Sequence, residues 1–263
     1  MSVAGYIEQL LGYEEYAFTL EEVCEKVTKS EVAIKSELSR LVEKKEIVNL
    51  RKGYYLILPP RYRAIGRLPI ELYVEKLFKY LQKPYYLAFY TASKFHGAAH
   101  QQVQKDYVMT QVPAIWDIGK DPVRIRFFTA ANWPARNIIQ IKSDAGFFNI
   151  SSPALTAADL LHYQTTLGGI NRMLPILEEL MEEIDMEDMR GLLEWYPYKS
   201  VIQRMGFLMD KLQAENDLIP LLYDHLIKKN IHSVLLNPVK GAKPGKTGNR
   251  WRVDVNISLE GDI

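Results

Sequence analysis

Cysteine is nearly absent from this 263-residue chain. The one thiol, Cys24, can neither close an intramolecular disulfide nor complete a Cys-pair zinc site, and it lies among Leu20, Val23 and Val27 at helical spacing. It reads as a buried, inert thiol. No run of roughly 18 apolar residues occurs, and Met1 to Glu15 has no basic region followed by an apolar stretch. Neither a membrane span nor a secretory signal is therefore expected, and the chain reads as cytoplasmic. Net charge is also nearly missing, with 33 Lys+Arg against 32 Asp+Glu. Together with 48% hydrophobic residues this is the composition of an ordinary folded soluble protein, long enough for two domains.

Catalytic signatures are lacking as well. No Ser or Cys sits in a GxSxG-type setting, and His162, His225 and His232 are scattered. His96 and His100 stand four apart, as two metal ligands could, but Gly97-Ala98-Ala99 between them supplies no carboxylate base and no third ligand is evident. Packing of Tyr90, Phe95 and His96 at a strand-to-helix junction, with His96 bonded to a neighbour, is the expectation. Gly245-Lys246-Thr247 matches the end of a phosphate loop, yet the first required glycine falls on Lys240 and Pro244 removes an amide donor. Residues 240–246 read as a flexible basic loop, with an accessory nucleic-acid or partner contact open to it. Glu178, Glu179, Glu182, Glu183, Asp185, Glu187 and Asp188 form an acidic run with no base among them. It reads as a solvated helix face and turn, or as an acidic surface for a basic partner. No cofactor, metal or enzymatic activity is expected; a nuclease in the C-terminal part is the enzyme alternative, and it lacks a visible metal-binding carboxylate set.

What is present is charge separated along the chain. Residues 1–25 hold six acids and no Lys or Arg, whereas residues 26–67 hold eleven bases against four acids, a net +7. Such segregation predicts one basic surface.

The first sixty residues read as helix, helix, helix and hairpin. Val3, Ile7, Leu10 and Leu11 make a short amphipathic segment, and Thr19 with Glu22 has the form of a capping box opening a second helix to about Val27. Ser30 can cap a third, whose apolar positions Ile34, Leu38, Leu41 and Val42 share one face. Ile47 to Leu50 and Tyr54 to Leu58 flank Arg51-Lys52-Gly53 as a hairpin with a basic tip, and Pro59-Pro60 ends the segment. Beyond lie strand candidates at 85–90, 107–112, 123–129, 138–142 and 147–150, a short helix from Thr91 to Ala99, helices from Leu155 onward, and a closing strand pair at 233–236 and 251–257. The fold class expected is α+β, an N-terminal winged helix-turn-helix (1–60) followed by a larger mixed helix-and-strand C-terminal domain (61–263).

The third helix is divided as a recognition helix is. Opposite its apolar face stand Val32, Ser36, Ser39 and Arg40, flanked by Ala33 and Lys35. Short residues allow close approach to a major groove, and Ser, Lys or Arg contacts base edges or phosphates. Candidate DNA-binding residues are Lys29, Ser30, Lys35, Ser36, Ser39, Arg40, Arg51 and Lys52, the last two reaching the neighbouring backbone. The alternative is a small helical domain whose basic face serves protein contacts.

Particular words strengthen one assignment. Residues 86–97 (YLAFYTASKFHG), 152–161 (SPALTAADLL) and Gly168-Gly169-Ile170-Asn171-Arg172 resemble segments of AbiEi, the antitoxin of type IV toxin–antitoxin systems. The resemblance runs from about Tyr6 to at least Leu180. It implies a cytoplasmic, non-enzymatic autorepressor whose winged helix binds inverted repeats in its own promoter. Its C-terminal domain would counter a nucleotidyltransferase-like toxin by acting on the toxin's target rather than through a tight complex. Double-stranded DNA and that toxin are the partners implied, with the protein a monomer or weak dimer on DNA. A winged-helix adaptor or a stand-alone transcriptional regulator is the alternative.

Overall fold

The computed structural model describes residues 1–65, 67–98, 104–212 and 217–260, Ala64 and Ile65 by backbone alone. In chain order the elements are α1 (Val3–Gly12), β1 (Ala17–Thr19), α2 (Leu20–Lys26), α3 (Glu31–Glu43), β2 (Ile47–Arg51), β3 (Tyr54–Ile57), α4 (Pro60–Ile65) and, after a 3-10 turn at Ile70–Leu72, α5 (Val74–Leu81). There follow β4 (Tyr85–Leu87), α6 (Phe89–Phe95), β5 (Asp106–Gln111), β6 (Ile118–Lys120), β7 (Val123–Ala130), β8 (Ile138–Ser143) and β9 (Gly146–Ser151). The last third comprises α7 (Pro153–His162), α8 (Gln164–Leu167), α9 (Ile170–Glu183), α10 (Met186–Trp195), α11 (Lys199–Lys211), α12 (Leu218–Ile227), β10 (Val234–Leu235) and β11 (Val253–Asp254). The mixture fits the α+β class. By contacts the chain forms two compact units, Met1–Tyr86 with Gln104–Ala131 and Gln140–Asn149, and Leu87–Val103 with Asn132–Ile139 and Ile150–Ile263.

In the first unit, each of the opening helices starts on a hydroxyl that accepts an otherwise orphaned amide. Ser2 serves α1, Thr19 with Glu22 closes a full capping box on α2, and Ser30 accepts from the Ala33 amide at 3.3 Å to open α3. Three strands pair antiparallel in the order β1-β3-β2, with Phe18 opposite Tyr55 and Val48 opposite Leu56. Tyr6, Phe18, Val23, Val27, Ile34, Leu38, Ile47 and Tyr55 are buried as one core between helices and sheet. Each such aliphatic side chain contributes about 1.5–3 kcal/mol on burial. Cys24 is half-buried at its margin. The bonds of these first sixty residues reach past Pro59-Pro60: Lys76 pairs with Glu15 and Glu22 at 3.0 and 3.3 Å, and the Tyr80 hydroxyl donates to the Lys52 carbonyl at 2.7 Å. In the larger sheet, of order β6-β7-β5-β4-β9-β8, β5 and β7 run parallel and β6 pairs antiparallel on the edge.

In the second unit α7 is buried from Ala154 to Leu161, and its Ala154, Ala157 and Ala158 allow close approach of α9 and α11, both of which pack on it. The closing strand pair is present and is parallel, Val234 beside Val253.

Two local expectations are corrected. The strand expected over 85–90 stops at Leu87, and the helix expected from Thr91 starts at Phe89, with Ala88 rather than Thr91 at its N-cap. Phe89 adopts φ +53, a left-handed turn that no strand can pass through, and Thr91 is buried inside the helix. Ala99 and His100 lie outside the described residues.

Candidate nucleic-acid interface

The sequence of α3 dictates its two faces. Ile34 and Leu38 are buried, while Val32, Lys35, Ser36, Ser39 and Arg40 are exposed, Val32 to 80%. Val32, Ser36, Ser39 and Arg40 fall at i, i+4, i+7 and i+8, so they form one stripe about two turns long. An exposed valine there costs folding nothing and gives the stripe an apolar point of the kind that contacts a thymine methyl.

The remaining candidates are placed differently. Ser30 is committed as the cap, so its hydroxyl is spent on the Ala33 amide. Lys29 is ion-paired with Glu37, and Lys35 with Glu31 at 2.6 Å, one turn earlier on the same helix. That pairing raises the Lys35 ammonium above its ordinary pKa and lowers the Glu31 carboxyl, hydrogen bonding first and charge second. Exposed pairs of this kind contribute little, so either lysine can exchange its carboxylate for a phosphate. Arg40 and Lys52 are exposed.

Arg51 behaves unlike its neighbour. It is half-buried and its guanidinium donates to the Trp116 carbonyl, while burial lowers its pKa against the opposing pull of Asp117. Lys120 donates to the Asn49 carbonyl at 2.8 Å. The hairpin is thus fastened to the segment around β6, a connection that sequence reading did not supply. The signal available was the Arg-x-Arg alternation of residues 124–126 beside a tryptophan in a loop.

Elsewhere the motifs resolve into structure. The Gly245 amide donates to Asp254 at 2.7 Å, so a carboxylate of the chain itself takes the position a phosphate would need. His96 donates from Nε2 to the Ser151 carbonyl at 2.8 Å, with burial lowering its pKa. Within the acidic run, Asp185 caps α10, and Asp188 accepts from the Asn137 amide at 2.6 Å and from the Ala154 backbone at 2.8 Å. Asp188 is therefore a structural residue rather than part of a solvated face. Glu178, Glu182, Glu183 and Glu187 are exposed. Among the described residues no group of three or more His, Cys, Asp or Glu could hold a metal ion, and no helix is long and apolar enough to cross a membrane.

A capped helix with an exposed polar stripe is thus the feature that residues 1–60 present, and comparison with known proteins adds a family likeness for the segment that follows. Residues 86–211 match the model of the AbiEi antitoxin C-terminal domain. Over that segment the chain is similar to AbiEi antitoxins, a regulatory, non-enzymatic kind of protein that acts within toxin–antitoxin pairs. No curated protein matches it. The crystal structure of the RV2827C protein from Mycobacterium tuberculosis has the same fold, with a TM-score of 0.66 at 12% identity over 94% of this chain and 89% of that one.

Proposed function

We propose that this protein acts as an antitoxin and is also the repressor of its own operon. The three helices and hairpin of residues 1–60 act as a winged helix-turn-helix on inverted repeats in the promoter, and the region from residue 61 onward counters a nucleotidyltransferase-type toxin. The observation that carries the reading is the exposed stripe of α3, where Val32, Ser36, Ser39 and Arg40 stand free of the core that the opposite face builds. Ser36, Ser39 and Arg40 read bases; Lys29, Lys35 and Lys52 meet phosphates. Ser30 acts by fixing the first turn of α3, and Arg51 by holding the hairpin in place.

Binding of the purified protein to a labelled fragment of its own upstream region, against unrelated DNA at two salt concentrations, tests this. The expected result is tighter binding to the upstream fragment, with affinity falling by roughly 0.9 log units per neutralised phosphate for each tenfold rise in salt. No preference at either salt overturns the operator claim. Rescue of growth on co-expression with the adjacent toxin gene tests the second half.

A further inference from the structure

Trp116 is the most exposed large apolar side chain among the described residues, at 87%. An indole carries one of the largest apolar surfaces of any side chain, and a soluble chain rarely leaves one in water without a use for it. It does not hang on a loose loop. Its carbonyl accepts from Arg51, the next side chain, Asp117, accepts from the Phe127 amide at 2.9 Å, and Lys120 reaches the Asn49 carbonyl at 2.8 Å. The indole is presented from a fastened platform.

From the next residue onward the chain lines a cleft of about 360 Å³, formed by Asp117 and Asp121 with Lys105, Arg124 and Arg126. On β7, Val123 and Ile125 are buried on one face, while Arg124 and Arg126, two residues apart, project from the other, where the Arg126 guanidinium lies 5.0 Å from the centre of the Phe128 ring. Gly119 stands opposite Arg124 on β6, and a Cβ there would meet nothing within 4 Å, so the cleft stays open above the arginine. Both carboxylates are occupied: Asp121 accepts from Arg124 at 3.0 Å, and Asp117 holds the Phe127 amide.

We infer that the β6–β7 hairpin and the loop before it form a second contact with duplex DNA, in which Trp116 packs into the minor groove and Lys105, Arg124 and Arg126 meet the flanking phosphates. An apolar wedge framed by cations is the chemistry that a minor groove and its backbone accept. Continuity favours a duplex over a single strand, because the platform is bonded to β2, whose hairpin is assigned to the same DNA. The inference rests on that DNA-binding reading and extends its surface.

Acrylamide quenching of tryptophan fluorescence in the full chain, with and without the upstream duplex and a random duplex of equal length, is the test. The other tryptophans, Trp133, Trp195 and Trp251, are half-buried or buried, so Trp116→Phe identifies the readily quenched emission. The expected result is that duplex protects this emission, and that Trp116→Ala weakens binding about tenfold. The double variant Arg124→Ala and Arg126→Ala lowers the salt slope by about 1.8. Gly119→Glu, which places a carboxylate in the cleft, weakens binding with no change in far-UV circular dichroism. Full affinity and an unchanged slope in these variants, with Trp116 still quenched on the duplex, overturn the inference. If in addition Lys35→Ala and Arg40→Ala abolish binding, the α3 reading survives alone. Absence of binding to either duplex by the unaltered protein removes both.

Discussion

Two helices of thirteen residues, α3 and α11, meet opposite fates. In α3 only Ile34 and Leu38 are buried, whereas α11 is buried from Val201 through Met209. A helix buried all round must satisfy its polar side chains internally. Gln203 donates to the carbonyls of His232 and Trp251 at 2.9 and 2.8 Å, and Arg204 donates from Nε to the Leu235 carbonyl at 2.8 Å. Burial brings the Arg204 guanidinium down to about 10. An arginine stands exposed on one helix, Arg40, and fastens the chain's own backbone on the other, Arg204. Burial, not residue type, decides which.

The sharpest way to break this contrast is at Gly206. An alanine Cβ would lie 2.1 Å from the Trp251 ring, which is 1% exposed and has no room to retreat. Helix propensity favours Ala by about 1 kcal/mol, but the overlap dominates, and Gly206→Ala should lose about 3 kcal/mol in denaturant unfolding. On α3, Leu38→Ala should cost a similar ~3 kcal/mol through the cavity it leaves, measured in the same way. Replacing Arg204 by Leu removes a buried charge-assisted bond and leaves the Leu235 carbonyl unpaired, for a loss of about 2 kcal/mol.

A smaller effect separates the units by pH. The described histidines all fall in the second unit, and burial holds His96, His162 and His225 below the ordinary imidazole pKa of 6.5. The unfolded chain therefore takes up protons first, so the stability they contribute is full above 6.5 and declines as pH falls through that value toward the folded pKa values. Unit-resolved amide hydrogen exchange between about pH 7.5 and 5 should show protection falling in the second unit through a step that the histidine-free first unit lacks. Smallest of all, Ser36→Ala, Ser39→Ala and Arg40→Ala should each leave stability within about 0.5 kcal/mol while altering preference among DNA sites in competition binding.

The opening helices were legible because their signals are local. Ser30 and the Thr19–Glu22 box mark helix starts within four residues, and the Ile34–Leu38 spacing marks a face. What escaped depends on distant partners. β1 is three residues long and becomes a strand only because β3 lies beside it, and α5 follows a 3-10 turn with no side-chain cap to announce it. Helix α11 carries a period that could suit a half-exposed helix, and nothing near Gln203 or Arg204 in sequence tells of His232, Leu235 or Trp251. Of the candidate interface, the stripe on α3 was readable from spacing. The bond from Arg51 to Trp116 spans 65 positions and was not.

The buried bonds of α11 cross the point where the family match ends. The recognisable antitoxin segment closes at residue 211, yet Gln203, Arg204 and Gly206 inside it hold residues 232–251 beyond it. A chain cut where the family likeness ends would expose two buried donors and an empty slot the size of an indole. Helix α11 and the tail it holds therefore fold as one object, although the family match ends between them.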